Sequence, residues 1–274
     1  MKKILRRIIN VFKDKNYIPI PNVVYSDKLL EGKIALITGG SSGIGYAIAK
    51  EFLKNGCKVI ITGTKEEKLK MCCEKLQGNV KYIVLNVLDV ENIHQKVNLA
   101  SSLFEENRID ILVNSAGVLS KNNFYNMTIE EYNLVMNTNI RGTYFMSQVV
   151  AKMMIEKKIK GHILNISSSS SQRPAWTPYQ LSKWAIKGFT KGLADLLVQY
   201  GIVVNAIAPG PTATPMLNKY DSNNIYYNDT PVKRFAMPTE IANMAVVLVS
   251  DMGNLVIGDT VYVTGGSGVI TLHH

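Results

Sequence analysis

Residues 33–45 read Lys33-Ile34-Ala35-Leu36-Ile37-Thr38-Gly39-Gly40-Ser41-Ser42-Gly43-Ile44-Gly45, and this stretch decides the fold. Its unbroken apolar run is the pattern of a strand buried on both faces. The run ends in a glycine-rich turn, and the apolar spacing beyond it predicts a helix from about Tyr46 to Asn55. A strand, a glycine turn and a helix start together cradle a phosphate group. Glycines let backbone N–H groups come close, and the helix dipole favours negative charge there. The spacing is T-G-x-x-x-G-x-G, distinct from the general G-x-G-x-x-G dinucleotide pattern.

The alternation continues outward from that unit. Strands are expected over 58–62, 80–85, 110–114, 161–166, 202–208 and 260–263. Helices are expected over 66–76, 90–107, 128–157, from Tyr179 to about Tyr200, and over 238–250, the last opened by a cap at Thr239-Glu240. Strands that alternate with helices imply an α/β fold with one doubly wound parallel sheet and helices on both faces. No internal repeat and no second domain is visible. The domain is expected to span 32–274, preceded by an arm and linker over 1–31.

A second stretch carries chemistry. Residues 168–183 read S-S-S-S-Q-R-P-A-W-T-P-Y-Q-L-S-K, and a helix is expected to open just after Pro178, whose preset φ suits a helix start. Tyr179 and Lys183 stand four apart, hence on one helix face. A free tyrosine titrates near about 10, and a neighbouring ammonium stabilises its phenolate. With a serine hydroxyl brought in by the preceding strand, such a set can move a proton onto or off a carbonyl oxygen. The remaining serines, Ser169–Ser171, read as a solvated turn.

Hydrophobic residues make up 46% of the 274 and charged residues 19%, the composition of an ordinary globular protein rather than a disordered one. Cys57, Cys72 and Cys73 stand in no C-x-x-C frame, and the four histidines are scattered, so neither a disulfide scaffold nor a metal site is supported. A reducing cytoplasm is the expected compartment. The net charge of +10 is uneven: residues 1–15 hold Lys2, Lys3, Arg6, Arg7, Lys13 and Lys15 against Asp14 alone. The rest carries a mild excess that calls for no nucleic acid. Ile4, Leu5, Ile8, Ile9 and Phe12 recur between those charges at helical spacing, a basic amphipathic helix pattern with no membrane-spanning run. The default for such a segment is packing against the protein's own body or a neighbouring subunit. The alternative is peripheral attachment to an anionic membrane surface or an acidic partner.

Five motifs occur in order: the turn at Thr38–Gly45, Asn114-Ser115-Ala116-Gly117, Asn139 in the long helix, Ser168 ahead of Tyr179-x-x-x-Lys183, and Pro209-Gly210 after the next strand. In these the chain resembles the short-chain dehydrogenase/reductase family over about 32–268, and within it the 3-oxoacyl-[acyl-carrier-protein] reductase-like branch. The resemblance implies a Rossmann-type sheet and an NAD(P)-dependent oxidoreductase, built as a homotetramer or dimer on the helices around 128–157 and 180–200. It implies Tyr179 as general acid/base, with Lys183 lowering the tyrosine's pKa and holding the nicotinamide ribose. Ser168 would polarise the carbonyl, although any of Ser167 to Ser170 could supply the hydroxyl. Asn139 would anchor a water that relays protons to Lys183. Gly39, Ser41, Ser42, Gly43, Ile44 and Gly45 would surround the pyrophosphate and adenosine ribose. Asn86 and Val87 would lie at the adenine, Asn114, Ala116 and Gly117 on the adenosine side, and Pro209, Gly210, Thr212 and Thr214 by the nicotinamide. The chain departs from the family at Ser115, where an asparagine is usual, at Asn86, where an aspartate is common, and in a shorter Ser168-to-Tyr179 gap.

Cofactor choice can be argued from charge. An acid at the end of the second strand accepts from the 2′-hydroxyl of NAD(H) and repels a 2′-phosphate. Here that end reads Thr62-Gly63-Thr64-Lys65, and Thr64 and Lys65 can bind a phosphate, which favours NADP(H) over NAD(H). The substrate expected is a small carbonyl or secondary alcohol: a 3-oxoacyl thioester first, a sugar, polyol or steroid-like carbonyl as alternatives. The segment 214–233, with Met216, Leu217, Tyr220, Ile225, Tyr226 and Tyr227, would close over it. The rival from another class is a catalytically idle dinucleotide-binding scaffold localised by its basic arm.

Overall fold

In the computed structural model, which describes residues 28–217 and 224–270, a single sheet runs β3 (Val80–Val84), β2 (Lys58–Gly63), β1 (Ile34–Thr38), β4 (Ile111–Asn114), β5 (His162–Ile166), β6 (Val203–Pro209), β7 (Thr260–Val263). Every pairing between neighbours is parallel. The strands are linked by α1 (Gly43–Lys54), α2 (Glu66–Leu76), α3 (Ile93–Ser101), α4 (Ile129–Met136), α5 (Thr143–Glu156), α6 (Pro178–Leu197) and α7 (Pro238–Val249). The doubly wound sheet expected from the sequence is therefore observed.

The alternation of side chains along β1 divides the core. Ala35 and Ile37 face a cluster with Ile48 and Phe52 of α1, Leu69 of α2 and Ile241 of α7. Ile34 and Leu36 face the other, with Val97 of α3, Val150 of α5 and Leu197 of α6. All four β1 residues are fully buried. After β3 the chain returns to lay β4 on the other side of β1, and that reversal opens a crevice at the carboxyl ends of the two strands.

Several expected boundaries move, each for a local reason. α1 begins at Gly43, not Tyr46: Gly43 enters at φ +54 and Tyr46 N–H bonds Ser42 O at 3.1 Å, so two of the glycines lie inside the first helical turn. The helix expected over 90–107 is α3 alone, preceded by a 3-10 turn. The hydroxyls of Ser101 and Ser102 bond back to Asn98 O and Leu99 O at its end, and Asn107 takes φ +48. The long helix of 128–157 is α4 and α5 joined by a π-helical turn, Asn137–Gly142. A β-carbon at Gly142 would lie 2.8 Å from Val87 Cβ, so this turn packs directly on the strand-end segment after β3. At α7 the cap is Glu240, whose carboxylate accepts from Met237 N–H at 2.7 Å and is gripped by Arg234, holding it down at about 2. Packing also starts earlier than residue 32: Leu30 is fully buried and its N–H bonds Asn55 O at 2.9 Å. The amphipathic arm, residues 1–15, lies outside the described residues.

Candidate active site

The crevice is lined continuously from the glycine turn to Tyr179 and Lys183 and on to Thr212 and Thr214. At the glycine-turn end of the cleft, the backbone leaves room only for glycine. A β-carbon on Gly45 would sit 2.6 Å from Gly39 O, and one on Gly39, at φ +65, would sit 3.0 Å from Ala116 Cα. Ser42 is the N-cap of α1, but its side chain caps nothing, and the first turn carries no acid. The N–H groups of that turn are thus free for an anion, and Gly39, Ser42, Gly43, Ile44 and Gly45 all line the cleft. Ala116, Gly117, Pro209 and Gly210 complete the walls. These residues fit a dinucleotide.

The chemical end is built by α6. Thr177 caps the helix, accepting from Gln180 N–H at 3.3 Å while the Gln180 carboxamide accepts from Thr177 N–H at 3.0 Å; Pro178 fills the first helical position. This rigid start puts Tyr179 and Lys183 on the face turned to the cleft. Ser168 is hydrogen-bonded to the Tyr179 phenol and also accepts from Ser170 N–H at 3.1 Å. The Ser167 hydroxyl instead donates to Lys183 O at 3.1 Å, so of these two it is Ser168 that is bonded to the phenol.

Burial raises the Tyr179 phenol, and the Ser168 hydrogen bond offsets part of that rise. Burial also pulls Lys183 down to about 8. Its ammonium donates to Ile166 O at 2.8 Å and stands 5.5 Å from the centre of the Tyr179 ring. At Tyr179 desolvation outweighs the Ser168 hydrogen bond, and the phenol is held above its ordinary value.

Two further serines hold Tyr179 in place, and sequence reasoning missed both. Ser120 accepts from Tyr179 N–H at 3.1 Å, and Ser182, fully buried, donates to Tyr179 O at 2.6 Å. Ser182 also accepts from the Asn139 amide at 3.0 Å. The i+3 spacing of Ser182 was a usable signal, whereas Ser120, 59 residues away, gave none.

Asn139 lies behind the cleft wall rather than in it. Its carboxamide clamps the Val118 backbone, accepting from the N–H at 2.9 Å and donating to the carbonyl at 3.1 Å. Asn114 also departs from expectation. It is buried in the sheet interior, donating to Asn165 Oδ1 and Ser147 Oγ, both at 2.9 Å, because β4 aims it across to β5 rather than out of the strand end. Ser115 takes a place in the cleft instead. Val87 is buried against Gly142, so only its backbone is available to a ligand, and the exposed Asn86 accepts from Leu88 N–H at 3.1 Å. Ser41 lies beside Gly63, next to the exposed Thr64 and Lys65, outside the cleft lining. Ser169 and Ser171 are buried rather than solvated: Ser171 Oγ donates to Ser168 O at 2.8 Å and bonds the Tyr262 hydroxyl at 3.2 Å. Of the expected covering segment, Met216 and Leu217 line the cleft; Tyr227 stacks on Phe235 instead, and Tyr220 lies outside the described residues.

The profile of the short chain dehydrogenase family matches residues 33–225. A 3-oxoacyl-[acyl-carrier-protein] reductase of Vibrio harveyi is 37% identical over 241 residues, covering 86% of this chain and 98% of the relative. A 3alpha-hydroxysteroid dehydrogenase of Mediterraneibacter gnavus is 34% identical, with 87% and 98% covered. The crystal structure of a 3-ketoacyl-(acyl-carrier-protein) reductase from Brucella melitensis in complex with NADH superposes with a TM-score of 0.80 at 29% identity, with 88% and 100% covered. With this sheet, this glycine turn and this Ser–Tyr–Lys cluster, the chain belongs to the short chain dehydrogenase family, in its 3-oxoacyl-[acyl-carrier-protein] reductase-like branch, and is an NAD(P)-dependent oxidoreductase.

Proposed function

We propose that the chain is an NADP(H)-dependent carbonyl reductase with Tyr179 as proton donor and a 3-oxoacyl thioester as its substrate class. The observation that carries this is the convergence of Ser168, Tyr179 and Lys183 on the same cleft as the uncapped, glycine-cradled start of α1. A bound nicotinamide dinucleotide supplies the hydride in reduction and accepts it in oxidation. Gly39, Ser42, Gly43, Ile44 and Gly45 would hold its diphosphate, Ala116 and Gly117 its adenosine side, and Thr212 and Thr214 its nicotinamide end. Ser168 Oγ hydrogen-bonds the carbonyl oxygen, and the Tyr179 O–H gives that oxygen its proton as the alkoxide forms. The positive charge of Lys183 beside Tyr179 stabilises the phenolate left behind. Asn139 acts through Ser182 and Val118, holding the tyrosine's backbone and the loop facing it.

The preference for NADP(H) is supported by the absence of any acid at the end of β2, where Thr64 and Lys65 are exposed. A hydroxysteroid-type substrate is the second reading, favoured by the 34% identical relative that acts on one. The idle-scaffold alternative is set aside by the family assignment. We place the protein in the cytoplasm, as a single domain that takes in Leu30.

The test is the initial rate of NADPH oxidation with acetoacetyl-CoA, with NADH alongside. Tyr179→Phe is expected to cost about 10²–10⁴-fold in kcat while leaving NADPH affinity intact, the usual share of one positioned proton donor. Turnover that survives in Tyr179→Phe removes it from the role. Turnover of a steroid ketone but not of acetoacetyl-CoA transfers the substrate assignment to the second reading.

A further inference from the structure

The start of α6 is held by a bond that its own cap does not supply. In the first turn Pro178 has no N–H, Gln180 N–H is taken by Thr177 Oγ1, and Leu181 N–H bonds Thr177 O at 3.0 Å. One donor of that turn is left, the N–H of Tyr179, and Ser120 Oγ accepts it at 3.1 Å. At the other end of the same residue, Ser182 Oγ donates to the Tyr179 carbonyl at 2.6 Å.

Ser120 is half-buried, on the loop that leaves β4. That loop is fixed before it reaches Ser120. Thr38 Oγ1 accepts from Ser115 N–H at 3.0 Å and from Ala116 N–H at 3.1 Å. Asn139 then clamps Val118 and donates to Ser182 Oγ at 3.0 Å. The bonds close a ring, from Tyr179 N–H through Ser120, Val118, Asn139 and Ser182 back to Tyr179 O. Ala116, Gly117 and Leu119 of this loop line the cleft, so one hydroxyl ties the cleft wall to the residue whose phenol meets Ser168. Without it the Tyr179 N–H loses its partner, and the ring is held to Tyr179 through Ser182 alone. A displacement of about 1 Å at a reacting group can cost about 10²-fold in rate.

We propose that Ser120 is a positioning residue for the proton transfer. It fixes the Tyr179 backbone, and with it the reach of the phenol toward the carbonyl oxygen, without touching substrate itself. This rests on the reading of Tyr179 as the proton donor. A plain helix cap would act on stability and on everything α6 carries, whether or not a phenol is present. A positioning residue acts only while there is a phenol to place.

The test is a double-mutant cycle of Ser120→Ala with Tyr179→Phe. It is read as kcat and KM with NADPH for whichever of acetoacetyl-CoA or a steroid ketone the wild type reduces, with NADPH affinity by calorimetry alongside. Ser120→Ala is expected to lower kcat about tenfold while KM and NADPH affinity hold. Ser120→Thr, which keeps the hydroxyl, is expected to restore most of that loss. In the Tyr179→Phe background, Ser120→Ala is expected to cost less than about twofold. Wild-type kcat in Ser120→Ala overturns the proposal. So does a tenfold loss that persists in Tyr179→Phe, or a Ser120→Ala chain that fails to fold, since either makes Ser120 a structural cap. Turnover that survives in Tyr179→Phe, or a wild type that reduces neither ketone, is a separate failure: it removes the underlying reading, and this proposal with it.

Discussion

Burial moves both Tyr179 and Lys183 away from their ordinary values. The phenol is raised, so it stays protonated through neutral pH, as a donor in reduction must. Lys183, pulled down to about 8, is the group whose charge changes first as pH rises. Its ammonium is present below that value and lost above it. The reduction rate, kcat/KM, is therefore expected to be level near pH 7 and to fall as pH rises through about 8. Lys183→Arg, which stays charged throughout, is expected to lose that inflection even at reduced activity. A profile with no break near 8 in the wild type would separate Lys183 from the catalytic step.

Two elements carry predictions of their own. The turn between β1 and α1 admits no side chain at Gly45, where a β-carbon meets a backbone carbonyl that cannot move aside. Gly45→Ala is expected to weaken NADPH binding at least tenfold by calorimetry, with a stability loss of about 1–3 kcal/mol from overpacking. Wild-type affinity would show that the turn is not the phosphate cradle. At the entry to β5, His162 is buried and bonded to Asn254 at 3.1 Å, and burial lowers its pKa to about 4. Its unfolded pKa is about 6.5, so below that pH the unfolded chain takes up a proton that the folded one refuses. Stability is expected to be full above about 6.5 and to decline as pH falls toward 4, by a total of about 3 kcal/mol. His162→Gln should flatten this acid limb in urea titrations, and an unchanged limb would assign acid sensitivity elsewhere.

At the scale of the whole molecule, three neighbouring helices expose apolar side chains. Tyr132 and Leu134 of α4, Tyr144 of α5, and Leu181, Trp184 and Leu196 of α6 are each at least two-fifths exposed. A second copy of the chain is the occupant expected for those helices, giving a homodimer or homotetramer. Sedimentation equilibrium should return a multiple of 30.4 kDa, and a mass equal to the monomer would refute assembly. Trp184→Glu is expected to shift the protein toward monomer, since it would place a charge among the exposed apolar residues of that face.

The sequence by itself determined the element order, the parallel sheet, the glycine-rich turn and the Tyr179–Lys183 pair. Each of these rests on local periodicity, on glycine spacing or on positions one helical turn apart. Tertiary structure alone decided what depends on contacts between distant segments. It chose Ser168 over Ser167, because the backbone at the end of β5 turns one hydroxyl to the phenol and the other to Lys183 O. It moved Asn114 into the sheet interior, where Asn165 and Ser147 were waiting. It enlisted Ser120 to hold Tyr179. It raised the Tyr179 phenol, since desolvation is a property of the walls around a group.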